Sequence, residues 1–141
     1  MNQELKYQME HAAVEGASFA EDPGWFFVFV ENAGMISELC QLIGEKAEEA
    51  EAVLVFAREK DWPSHLDACA ALGRMHQAAQ DMKEDLVLHF RLTQFFASPS
   101  SIRIRTAFAV PEGYECTAVC LLKEAIPHDM EIRWNVFSDI Q

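Results

Sequence analysis

The sequence predicts an α+β domain, with N-terminal helices packed on one face of a mostly antiparallel sheet that ends in a C-terminal meander. Three observations carry this. Apolar residues recur at helical spacing in the N-terminal half, the period switches to two from Leu86, and the C-terminal segments are of similar length and joined by short turns. With 141 residues, half of them apolar, residues 1–141 are expected to form one domain that buries a sizeable core without disulfides or metal.

Residues 2–15 read as a helix with Leu5, Met9, Ala12 and Ala13 on one side and no strong cap. "EDPG" at 21–24 is a turn, and "WFFVFV" at 25–30 reads as a buried strand. Ile36, Leu39, Cys40, Ile43 and Ala47 then mark an amphipathic helix. Ala50, Leu54 and Ala57 continue its stripe, although "AVLVFA" at 52–57 also reads as a buried strand. Helix throughout is the preferred expectation, because the flanks are rich in Glu, Ala and Lys and no Gly or Pro interrupts the segment from Glu45 to Ala57.

"DWPSHLD" opens the next helix, with Ser64 as the expected cap and Asp67 three residues on, where a capping-box acid belongs. Its end is expected near Lys83 or Glu84. Leu86, Leu88, Phe90 and Leu92 then alternate with Val87, His89, Arg91 and Thr93, a strand pattern. Across a Ser-Pro-Ser-Ser turn, Ile102, Ile104, Thr106, Phe108 and Val110 alternate with Arg103, Arg105, Ala107 and Ala109; "YECTAVCLLK" and "MEIRWNVF" complete the meander.

Charge is the strongest global signal. The chain has a formal net charge of −12, and residues 1–56 carry eleven Asp and Glu against Lys6 and Lys46 alone. Such a chain is repelled by phosphate backbones and anionic membranes, so neither nucleic acid nor membrane is expected as a partner. The polar start "MNQELKYQMEHAAVEG" does not resemble a secretory signal, and a cytoplasmic location is expected. Cys40, Cys69, Cys116 and Cys120 have no metal-type spacing and read as free thiols.

Two candidate sites follow. The first is an acidic ridge of Glu38, Glu45, Glu48, Glu49 and Glu51, suited to a basic protein surface, with spaced carboxylates imitating phosphates. It suggests a non-enzymatic inhibitor, immunity factor or adaptor. The second, alternative site is an anion-binding patch of His89, Arg91, Arg103, Arg105 and Arg133 on the polar face of the meander, which suits a small anion or metabolite and admits an enzyme. Should the rings between Trp25 and Val30 be exposed, that strand becomes a surface for a homodimer.

His65 and Cys69 sit one helical turn apart but His76 lies too far along to share an ion with them, so no metal is expected. The sequence has no nucleophile elbow, P-loop or dinucleotide fingerprint, and its six glycines fall singly. On these grounds neither a cofactor nor an enzymatic activity is expected.

Overall fold

A computed structural model describes residues 2–16, 18–46 and 51–125. The elements run α1 (Gln3–Val14), β1 (Trp25–Val30), α2 (Ala33–Leu42), β2 (Ala52–Arg58), α3 (Trp62–Asp81), β3 (Glu84–Leu88), α4 (Phe90–Ala97), a 3-10 turn (Pro99–Ser101), α5 (Ile102–Ala107) and β4 (Tyr114–Glu124). The four strands form one sheet in the order β1-β2-β4-β3, and every neighbouring pair is antiparallel. The class is α+β, with an antiparallel sheet, as the sequence predicts. Among the described residues no helix is long and apolar enough to cross a membrane.

The helices do not lie on one face. Val53, Val55, Ala57, Ala118 and Cys120 point to a layer formed by α1 and α3, while Leu54, Phe56, Val119 and Leu121 point to α2 and α4. The cause is β2, which pairs with a strand on each side and buries all but its last residue. The same fact overturns the helix expected at 52–57. A segment that is apolar at every position carries no periodicity to separate strand from helix. Here the chain leaves α2 at Ile43 and Gly44, whose N–H groups bond to Cys40 and Gln41 carbonyls, with Gly44 at φ +76°.

The meander is the second correction. The alternation starting at Leu86 holds only to Leu88; from Phe90 the chain is helical, and Leu92 and Phe96, four apart, are the buried pair. The segment 102–110, expected as a strand, contains α5. Ser101 is buried and its hydroxyl donates to the Phe96 and Ser98 carbonyls, turning the chain from α4 into α5. The strand at 114–123 is present as β4, whereas "MEIRWNVF", with Glu131, Arg133 and Asn135, lies outside the described residues.

Caps also differ. Asn2 accepts from the Glu4 and Leu5 N–H groups and caps α1. Asp61, not Ser64, caps α3: its carboxylate accepts the Ser64 N–H, and Ser64 is buried, accepting the Gly24 N–H at 2.9 Å.

Asp67 has a different role from a capping-box acid. It is buried and accepts from the Ser18 hydroxyl, the Phe19 N–H at 2.6 Å and the Ala20 N–H at 3.3 Å, tying the segment before β1 to α3. Burial pushes its carboxyl up, but these hydrogen bonds and the nearby Arg74 charge outweigh that and hold it below the usual aspartate range. A depressed folded-state value means that the stabilisation is complete above about pH 4 and is lost as pH falls through the folded value. Asp67→Asn is therefore expected to flatten the acid limb of the stability curve below about pH 4, read by urea titration at several pH values.

Candidate functional site

The chemistry gathers in a pocket of about 430 Å³ between α3, β3 and β4. Cys69, Leu72, Gly73 and His76 line it from α3, Leu86 and Leu88 from β3, and Thr117, Ala118 and Cys120 from β4. The α3 residues fall at i, i+3, i+4 and i+7, so they form one stripe beside the buried stripe of Ala68, Ala71, Met75 and Ala79. Gly73 keeps one wall open: a Cβ built there meets nothing within 4 Å.

A β-bulge supplies the polar group. Val55 pairs with Ala118 and Phe56 with Cys116, so Thr117 is an extra residue on β4. A bulge re-aims side chains that strict alternation would send to opposite faces. Thr117 and Ala118 consequently both line the pocket. Behind Thr117 lies His65, whose Nδ1 is 3.2 Å from the Thr117 hydroxyl and whose Nε2 is 2.8 Å from a Glu115 carboxylate oxygen. That oxygen lies off the axis of an N–H on Nε2, so the contact is electrostatic rather than an aligned hydrogen bond. His65 thereby stands between the Thr117 hydroxyl and the Glu115 carboxylate.

The other walls are weakly polar. Burial pushes the Cys120 thiol up to about 11, so it is a neutral, apolar wall at physiological pH. Cys40, Cys69, Cys116 and Cys120 are all free thiols. His76 stands near the rim, 3.5 Å from the buried Asp85.

The acidic ridge read from the sequence is not assembled among the described residues. Glu38 is exposed on α2, and Glu51 precedes β2, where its carbonyl accepts the Leu122 N–H at 3.1 Å. Glu45 folds back after α2 and contacts His89 Nε2 at 2.8 Å and Arg91 at 2.9 Å. Glu48 and Glu49 lie outside the described residues.

The basic patch is likewise dispersed. His89 caps α4, its Nδ1 accepting the Leu92 N–H, and Arg91 bonds to Glu45 and to the Ile43 carbonyl at 2.7 Å. Arg103 is exposed on α5, Arg105 donates to the Tyr114 carbonyl, and Arg133 lies outside the described residues. Among the described residues no meander face brings these groups together.

The sequence does show His65, Cys69 and His76 at helical spacing, but as a failed metal site. Thr117 and its link to His65 carry no sequence signal, because a bulge leaves the alternation of β4 looking regular.

No protein-family profile matches the chain, and no curated protein matches it in sequence. Solved structures do. A nitroreductase with bound FMN from Bacteroides fragilis superposes with a TM-score of 0.78 at 15% identity, covering 100% of this chain and 89% of that one. The fold is that of the nitroreductases. An FMN-dependent nitroreductase from Clostridium difficile gives a TM-score of 0.76 at 11% identity, covering 96% of this chain and 88% of the other. A nitroreductase with bound FMN from Desulfitobacterium hafniense gives 0.74 at 16%, covering 96% and 84%.

The nitroreductase fold overturns the expectation of a non-enzymatic inhibitor, immunity factor or adaptor, because the structures that share this architecture are named as nitroreductases. It equally removes the ground for expecting no enzymatic activity. The missing motifs misled because P-loops, dinucleotide fingerprints and nucleophile elbows belong to other folds.

Proposed function

We propose that the chain is a flavin-dependent oxidoreductase built on the nitroreductase fold. The observation that supports it most is the superposition of the whole chain on a nitroreductase with bound FMN. The pocket supplies a fit for part of that group. Its volume lies in the range of about 300–1,000 Å³ that small-molecule pockets take, and its walls of Leu72, Leu86, Leu88 and Ala118 suit a flat aromatic ring.

The phosphate of FMN does not fit. None of the lining residues is Lys or Arg, those from α3 lie in its middle rather than at its N-terminus, and the carboxylates of Asp85 and Glu115 stand behind the walls. A phosphate takes guanidinium, ammonium or helix N-terminal amide donors. The pocket therefore matches the ring of a flavin and not its phosphate.

A flavin ring would supply hydride and electron transfer. The chain's own residues would exclude water with apolar walls and orient the ring edge through Thr117.

The test is oxidation of NADH or NADPH by the purified chain with a nitroaromatic acceptor, followed by nicotinamide absorbance with riboflavin or FMN added. The expected result is a rate well above that of each free flavin, with riboflavin supporting it at least as well as FMN. Rates equal to the protein-free controls with both flavins would overturn the proposal.

A further inference from the structure

We infer that the pocket beside β3 is the seat of the chain's own C-terminal segment, which adds to the sheet along β3 and places the Trp134 indole in the pocket. Among the described residues β3 pairs with β4 alone and is the last strand of the sheet. Its end is apolar on both faces and open to solvent: Val87 is 42% exposed and Leu88 54%. An apolar edge of this kind is a template for a further strand, and native proteins cover it.

The chain reaches that edge without a long loop. The Ala125 N–H donates to the Lys83 carbonyl at 3.0 Å, so the chain leaves β4 beside the residue that precedes β3. Two residues on, Pro127 has no N–H with which to continue the ladder. Residues 126–141 lie outside the described residues, and the distance they must cover is short. The five peptide steps from Ala125 to Met130 span at most about 17 Å, against roughly 10 Å from the line of β4 across β3 to its outer side. A strand that starts there runs parallel to β3, from Lys83 toward Leu88.

The segment has the pattern this seat requires. Met130, Ile132, Trp134 and Val136 alternate with Glu131, Arg133 and Asn135, so a strand made of them has one apolar face. With Met130 level with Glu84, Trp134 falls beside Leu88 and turns to the face of Leu86 and Leu88, which lines the pocket. A pocket of about 430 Å³ with Leu72, Leu86, Leu88 and Ala118 in its walls suits an indole. Whichever way the hydrogen bond between Thr117 and His65 runs, the Thr117 oxygen keeps a lone pair for the indole N–H. The seat does not rest on the flavin reading: a ligand enters the pocket by displacing Trp134.

Trp134→Cys tests the placement, because the exposed Cys69 is a free thiol that lines the pocket. Under mild oxidation the variant is expected to form a disulfide between Cys69 and the introduced thiol within one chain, read by peptide mass mapping and a non-reducing gel. The link is expected to be lost in Asn135→Cys, which puts the thiol on the polar face. No link in Trp134→Cys, an equal link in both variants, or a link joining two chains would overturn the placement. A second measurement needs no substitution. Hydrogen exchange over 130–137 in the wild-type chain is expected to run at least about tenfold slower than in the free peptide, since amides docked on β3 open only with the strand. Exchange at the free-peptide rate would overturn the inference whatever the variants do.

Discussion

Gly73→Phe is expected to weaken binding of a flavin ring by about a hundredfold or more, equivalent to roughly 2.7 kcal/mol, without weakening the fold. Gly73 lies on the exposed side of α3 and lines the pocket, and a Cβ added there meets nothing within 4 Å. The phenylalanine ring would occupy the space a ligand needs. Its backbone effect runs the other way, because glycine in a helix interior costs about 0.5–1 kcal/mol relative to alanine and most residues recover part of this. Fluorescence titration combined with thermal unfolding checks both halves. Undiminished binding in a folded Gly73→Phe chain would place the ring elsewhere.

Phe56→Ala is expected to cost about 3–5 kcal/mol, a large part of the roughly 5–15 kcal/mol that holds a domain together. Phe56 is fully buried in β2, stacked on Phe26 with centroids 5.3 Å apart and edge-on to Phe96 at 5.7 Å. Truncation would leave both rings facing a void that the paired strands on either side of β2 cannot close. The measurement is the urea midpoint, which should fall sharply with little change in slope. Phe19→Ala is the control: Phe19 is 69% exposed, and its loss should change stability by no more than about 0.5 kcal/mol.

These two positions show how unevenly the sequence carries its structure. The strand at Trp25–Val30, α1, α3 and β4 were legible because each has a clear period or a turn signal at its ends. The segment at 52–57 was not, because an interior strand buried on both faces is apolar throughout, and local helix preference points the wrong way. The segments at 90–97 and 102–107 failed for another reason. Their arginines and apolar residues alternate over a few positions by coincidence, while the helical pairs that matter, such as Leu92 with Phe96, are only one turn long.

The candidate site was harder still. His65 and His76 were visible at helical spacing, but their meaning depends on what β3 and β4 set against them. Asp85 beside His76 and Glu115 and Thr117 beside His65 come from distant parts of the chain. The bulge that turns Thr117 inward is a property of the pairing between β2 and β4, not of either strand alone. Charge was legible but misleading: Glu45, counted as part of an acidic ridge, is paired with Arg91 and contacts His89, both assigned from sequence to a separate basic patch.

Where a flavin ring binds is measured most directly by an NMR titration of the isotopically labelled chain with lumiflavin. The predicted result is a saturable set of shifts confined to the pocket, at Cys69, Leu72 and Gly73 on α3, Leu86 and Leu88 on β3, and Thr117 to Cys120 on β4. Saturable shifts centred on any other part of the molecule, or none at all, would contradict it.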